Sequence, residues 1–124
     1  VIIGTGIDIV EIERIEKAIR RNKKFIHRFF TENEIEYFKS RKNRTEVIAG
    51  NFAAKEAFSK AVGTGIRNFT LNDIEVLRDS LGKPYIRLYN GAFEYAGRLG
   101  ITAVHVSISH CKEYAVASVI TEGE

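Results

Sequence analysis

One cysteine, one proline and no tryptophan occur in these 124 residues. The lone thiol, Cys111, excludes an internal disulfide and every multi-cysteine zinc or iron–sulfur site. No run approaches the roughly 18 consecutive apolar residues that span a bilayer. Residues 1–10 hold Asp8 and two glycines and no basic leader, which is unlike a secretory signal. The expectation is a soluble, cytoplasmic protein with no membrane partner. No repeat or low-complexity run interrupts the chain, so residues 1–124 are expected to form a single domain. At 44% hydrophobic and 28% charged residues, the chain has enough apolar material for a core.

Charge of one sign is scarce in places. Residues 14–44 contain eleven Lys/Arg against four Glu, a net of +7, and the rest of the chain carries −4. Such segregation points to an acidic partner, whether nucleic acid, anionic membrane, a phosphorylated ligand or an acidic protein. At 100° per residue, Arg14, Lys17, Arg21, Lys24 and Arg28 fall within roughly 80° of a helix circumference. Ile12, Ile15, Ile19 and Ile26 take the other face.

Hydrophobic period predicts the remaining elements. Val1 to Val10 reads as a buried strand. Glu11 to Arg28 reads as a helix that Asn22 or Lys23 breaks in two. Thr31-Glu-Asn-Glu34 has the spacing of a capping box and starts another helix. Thr45 is a candidate N-cap for a helix reaching Val62, with Gly63 closing it. On that helix Phe52, Glu56, Ser59 and Lys60 share one side. Residues 73–78 and 85–89 read as a hairpin, 90–99 as a helix, and 103–109 and 113–121 as two strands. Strands clustered away from helices predict an α+β fold with a largely antiparallel sheet.

Several side chains invite chemistry. Asp8 sits in an apolar strand, where an unpaired charge is costly. Either it accepts backbone N–H bonds or caps the next helix, or it has a metal-binding or catalytic role. Glu56 is either the partner of Lys60 in an exposed i,i+4 pair worth about 0.3–0.5 kcal/mol or a hard-cation ligand beside a phosphate-binding lysine. Gly4-Thr-Gly6 lacks the third glycine of a dinucleotide fingerprint, and Gly63-Thr-Gly65 follows a helix where a P-loop precedes one. In His105-Val-Ser-Ile-Ser-His110, positions five apart face opposite ways on a strand. His105 reads as a buried imidazole and His110 as the ligand-facing one. Cys111 has no base partner in the sequence and reads as structural.

These pieces together resemble the small phosphopantetheinyl transferases, the holo-acyl-carrier-protein synthases. The resemblance rests on Gly6-Ile-Asp8-Ile-Val with Arg14 beyond, Phe30-Thr31-x-x-Glu34, and Phe52-Ala-Ala-Lys-Glu56-Ala-Phe-Ser-Lys60-Ala-Val-Gly-Thr-Gly65. It continues in Gly82-Lys-Pro84 and His105-Val-Ser-Ile-Ser-His110-x-x-x-Tyr-Ala, so it runs over nearly the whole chain. Asn51 stands where many relatives carry arginine. The resemblance implies the α+β fold of that family and Mg²⁺-dependent transfer of 4′-phosphopantetheine from coenzyme A to a serine of apo acyl carrier protein. Adenosine 3′,5′-bisphosphate would leave, and the reaction would serve fatty acid biosynthesis. It further implies Asp8 and Glu56 as metal ligands and Glu56 and Lys60 as catalytic. Ser59, Lys60, Gly63, Thr64, Gly65, Pro84 and His110 would bind coenzyme A. Acidic carrier protein would dock on Arg14, Lys17, Arg21, Lys24 and Arg28. A homotrimer with active sites between subunits is implied as well.

Two other classes compete. A nucleic-acid-binding module would use the same basic stripe, but Phe25, Phe29 and Phe30 sit among apolar positions and no nucleic-acid signature is present. A binding scaffold without turnover is the other, and the intact Asp8, Glu56 and Lys60 argue against it.

Overall fold

The computed structural model describes residues 1–63 and 69–124. Strand β1 (Ile2–Glu11) is followed by four helices, α1 (Ile12–Arg21), α2 (Phe25–Phe29), α3 (Glu32–Ser40) and α4 (Thr45–Ala61). After a 3-10 turn at Leu71–Asp73 come β2 (Ile74–Arg78), β3 (Pro84–Leu88), α5 (Asn90–Arg98), β4 (Ile101–His110) and β5 (Tyr114–Gly123). All pairing is antiparallel: β1-β5-β4 form one sheet and β2-β3 a separate hairpin. The α+β expectation holds, with its strands divided between two sheets.

Local chemistry explains the helix boundaries. Asn22 Oδ1 accepts the Lys24 N–H at 2.9 Å. That Asx-type turn competes with the helix and separates α1 from α2. Thr31 caps α3 as expected: its hydroxyl accepts the Glu34 N–H, and Glu34 Oε1 accepts the Thr31 N–H at 3.0 Å. At α4 the cap moves by one residue. Arg44 takes the extended N-cap conformation without a side-chain bond, and Thr45 is already helical. The preceding Lys42 and Asn43 both have positive φ, 59° and 52°, so the chain has turned before Thr45 is reached. Gly63 closes α4 at φ +80°, donating its N–H to Lys60 O, a left-handed cap that favours glycine.

Helix α4 lies in the core. Ala53, Ala54, Ala57, Phe58 and Ala61 pack with Ile74 and Val76 of β2 and with Ala117 and Val119 of β5. Phe30, Ile35 and Phe38 meet Ile48 and Ala49 at its other end. Small residues let strand and helix approach at backbone distance. A Cβ added to Gly6 would fall on the carbonyl oxygen of Ala57, and one on Gly4 on that of Ala61. Gly6→Ala is therefore expected to cost about 2–3 kcal/mol and to lower the thermal midpoint by roughly 10 °C. An unchanged melting curve would mean that β1 does not lie against α4 in this way.

The expectation that residues 1–10 are buried is corrected. Gly4, Gly6, Asp8 and Val10 face inward, while Ile7 and Ile9 are 63% and 64% exposed. Strand alternation puts Ile7 beside Ser118 and Ser107, and Ile9 beside Val116 and Ser109. The apolar residues of β1 thus point away from the core onto an open sheet face.

Candidate active site

Alternation along β1 aims Asp8 at the last two turns of α4, two residues beyond the Gly6 contact. Lys60 Nζ donates to Asp8 Oδ1 at 3.1 Å and to Ile7 O at 3.0 Å. Lys60 is thereby held on the strand instead of forming the surface i,i+4 pair with Glu56. Asp8 Oδ2 is buried and has no hydrogen-bond partner. Asp8 does not cap α1 either, because the N-cap is Glu11 without a side-chain bond. Glu56 is half-buried beside it. Burial first, and then the Asp8 charge, push the Glu56 carboxyl above the usual range, against a smaller opposing pull from Lys60.

An orphaned carboxylate oxygen facing a second carboxylate is the arrangement a divalent cation relieves. The donor set fits Mg²⁺, which takes one or two protein carboxylates and fills the remaining positions with water and substrate oxygens. No cluster of three or more His, Cys, Asp or Glu side chains occurs among the described residues, so water and substrate would have to complete that shell. Asp8 and Glu56 line a groove of about 470 Å³ with Arg14 on one wall and Phe25, Phe52 and Tyr114 around it. That volume lies within the roughly 300–1,000 Å³ range of small-molecule sites.

The other expected cofactor residues are not gathered there. Pro84 and His110 line a separate pocket of about 220 Å³ with Tyr37, Glu46, Gly50 and Arg78. The two cavities share no lining residue. Ser59 does not join Lys60. It is 1% exposed, and its hydroxyl donates to Lys55 O at 3.1 Å, so within this chain it faces the core. Gly63 is the cap described above, and Thr64 and Gly65 lie outside the described residues.

Comparison with known proteins now bears on this geometry. Residues 4–119 match the model of the 4′-phosphopantetheinyl transferase superfamily. The chain belongs to this family. A holo-[acyl-carrier-protein] synthase of Clostridium perfringens is 55% identical over 99% of this chain and 96% of its own length. Among solved structures, a holo-(acyl-carrier-protein) synthase from Bacillus anthracis in complex with CoA (3′,5′-ADP) is 46% identical. It has a TM-score of 0.81 and covers 99% of this chain and 98% of that one. The Helicobacter pylori enzyme in complex with coenzyme A is 38% identical, with a TM-score of 0.85 over 95% of this chain and 99% of that one. The chain is an enzyme of the phosphopantetheinyl transferase class.

Two expectations about this transferase change. The basic stripe is not one continuous face, because the Asn22 turn interrupts its phase. Arg14, Lys17 and Arg21 lie on α1, Lys24 precedes α2, and Arg28 lies on α2. Arg14 lines the carboxylate groove, while Arg28 borders a different cavity with Phe29 and Leu71. Lys17 pairs with Glu13 at 3.1 Å. His105 is exposed, not buried, and its Nε2 lies 2.9 Å from Glu122 Oε1 on the open sheet face. The hydrogen bond and charge of His105 hold the Glu122 carboxyl below its usual range. Outward alternation in β4 is the physical reason. No transmembrane-length apolar helix occurs among the described residues.

From the sequence, Glu34 has a capping role at α3 and Lys55 has none, and neither is expected in the core. Both are fully buried. Lys55 Nζ donates to Glu34 Oε1 at 2.6 Å, Leu71 O at 2.9 Å and Ile74 O at 2.6 Å. Glu34 also accepts from the N–H groups of Thr31 and Val76 and from Asn51 Nδ2. Three donations require an ammonium, and four acceptances suit a carboxylate. Burial pushes Glu34 up and Lys55 down, and each holds the other in its charged form. The pair fastens α3 and the 71–74 segment to α4 one residue from Glu56. A lysine inside an alanine-rich helical block was the available signal.

Proposed function

We propose that this protein transfers the 4′-phosphopantetheine group of coenzyme A to a serine of apo acyl carrier protein in an Mg²⁺-dependent reaction that releases adenosine 3′,5′-bisphosphate. The observation that carries it is the unpartnered Asp8 Oδ2 opposite Glu56, with Lys60 bound to the same aspartate. The named activity of relatives up to 56% identical supports the reaction class.

Asp8 and Glu56 would hold Mg²⁺, which when bound neutralises charge on the pyrophosphate as the bond to the departing nucleotide breaks. Lys60, exposed and bound to Asp8, adds a positive charge one helical turn from Glu56 and can exchange Asp8 for a phosphate oxygen. Phe52 and Phe25 give the groove an apolar wall that limits water near the reacting centre. Glu56 is this chain's own candidate for receiving the serine proton. Arg14 stands where the acidic carrier would bring that serine.

Lys60 serves the groove while Pro84 and His110 line a separate pocket, and an isoleucine-bearing sheet face is open. These features support a homotrimer in which neighbouring copies complete each active site. Heterologous contacts that close into a ring meet the symmetry requirement. Sedimentation at micromolar concentration is expected to give about three times the chain mass, and a monomer would remove the shared-site reading.

The direct test weighs apo acyl carrier protein by mass spectrometry after incubation with coenzyme A and Mg²⁺, with a chelator control. A gain of about 340 Da, the phosphopantetheine group, that vanishes with chelator is the expected result. No gain with several carrier proteins would overturn the proposal. Docking is tested separately. Arg14→Glu with Arg21→Glu is expected to raise the KM for carrier protein at least about tenfold and to change that for coenzyme A less than about twofold. Parallel changes in both would show that α1 is not the dock.

A further inference from the structure

All four helices between β1 and β2 contribute to a second cavity of about 430 Å³, nearly the size of the carboxylate groove at about 470 Å³. The two share no lining residue, because α1 stands between them. Arg14, Ile15 and Ala18 border the groove, and Glu16, Ile19 and Arg20 border the cavity. Helix α2 divides in the same way, with Phe25 on the groove and Ile26 on the cavity. Ile19 and Ile26 are half-buried there, and the buried Ile35, Phe38 and Ile48 complete an apolar lining from α3 and α4.

The charges around this lining are mostly of one sign. Arg20, Lys23 and Lys39 face a single carboxylate of the cavity, Glu16. Lys23 makes no ion pair among the described residues. Arg20 Nη2 lies 3.3 Å from Glu16 Oε1, and Lys39 Nζ lies 3.6 Å from Glu36 Oε1. Both are exposed pairs, which hold weakly and yield to a better acceptor.

An apolar interior with a cationic rim matches a molecule that is apolar along its length and anionic at one end. The volume sets its size. At about 30 Å³ for a water-sized group, a chain of about ten carbons takes roughly 300 Å³, whereas a two-chain lipid of about thirty carbons needs roughly 900 Å³. One single chain fits and a pair does not. At the rim, the planar fork of Arg20 suits a carboxylate.

We propose that this cavity binds one medium-chain fatty acid, with its chain inward and its carboxylate at Arg20 and Lys23. The site is distinct from the groove that holds Asp8 and Glu56.

Calorimetry on the whole chain with decanoate, below the concentration at which it forms micelles, tests this. It needs neither coenzyme A nor carrier protein, so its outcome is independent of the transferase reading. Decanoate is expected to bind at least about tenfold more tightly than decyltrimethylammonium, which has the same chain and the opposite charge. Octanoate is expected to bind about fifteenfold more weakly than decanoate, at about fourfold for each methylene removed. Arg20→Glu with Lys23→Glu reverses the rim. It is expected to weaken decanoate at least about tenfold and to strengthen decyltrimethylammonium, a gain that misfolding cannot produce. Isoleucine methyl NMR of the wild type locates the ligand: Ile19, Ile26, Ile35 and Ile48 are expected to shift, and Ile7 and Ile9 on the open sheet face to stay. No binding of decanoate, equal binding of the two head groups, an unchanged decanoate affinity in the double variant, or shifts confined to Ile7 and Ile9 would each overturn the proposal. So would cavity methyls that move when the protein alone is diluted, since a second copy would then be the occupant.

Discussion

Glu56→Ala is expected to lower carrier-protein modification about a thousandfold while the protein stays folded. Its carboxylate lies close enough to Asp8 to feel its charge, and the two line the groove together, with Glu11 a further carboxylate along β1. With one gone, Lys60 already neutralises the other at 3.1 Å, and little attraction for a divalent ion remains. Asp8→Ala is expected to act alike, because it removes both the orphaned oxygen and the anchor of Lys60. Stability should not fall in step. The Glu56 carboxyl is raised in the folded state, so this group destabilises the native protein as pH climbs past its unfolded value. At neutral pH its removal is therefore expected to leave the thermal midpoint unchanged or slightly higher. Titration of each variant with Mg²⁺ by calorimetry supplies a readout independent of turnover. Retention of both activity and metal binding in the two variants would remove the carboxylate assignment.

Lys55→Met is expected to behave in the opposite way, with a large loss of stability. It strands Glu34 at 0% exposure, and breaking a buried pair from one side costs about 3–5 kcal/mol, or a fall of roughly 10–20 °C in the thermal midpoint. A pH signature accompanies it. Without Lys55, burial is the dominant influence on Glu34 and raises its folded value. Stability is then highest where the carboxyl is protonated and is lost as pH rises from the unfolded value through the folded one. The variant is therefore expected to approach the wild type near pH 5 and to be furthest below it near pH 8. Adding Glu34→Gln should recover part of the loss at high pH and abolish the pH dependence. Chemical denaturation at the two pH values measures both. A pH-independent deficit would show that Glu34 is not held charged by Lys55.

Which parts of this architecture the chain discloses in advance follows from what local pattern encodes. The Thr31–Glu34 box, the Asn22 break, the Gly63 cap and the 79–83 hairpin loop are each decided within a few residues, and all can be read directly. Strand β1 is different. Its isoleucines suggest burial, yet they occupy the open face, and the inward face carries glycines and Asp8. Period two identifies the strand but cannot say which face is covered. The reason lies in α4, which comes so close that only glycine fits. An ideal helical wheel does not hold across the Asn22 turn, so it cannot fix where Lys24 and Arg28 lie relative to the residues of α1. His105 failed because alternation was known but the covered face was not. At the candidate site, Asp8, Glu56 and Lys60 were legible as motif members. The split between their groove and the His110 pocket was not, since it depends on where β3 begins and β4 ends relative to α4.

The backbone contact of Gly4 and Gly6 with α4 has a consequence for how this protein can change over generations. Elsewhere in the core, side chains separate the elements, and a substitution can be absorbed by neighbours moving a few tenths of an ångström. Between β1 and α4 there is no such cushion. The strand rests on the carbonyls of Ala57 and Ala61, in the same turns that present Glu56 and Lys60. The carboxylate separation is therefore a property of main-chain geometry, insulated from drift in the surrounding apolar packing. Core residues can vary and alter how long the protein survives heating, while the spacing of its two acids stays the same.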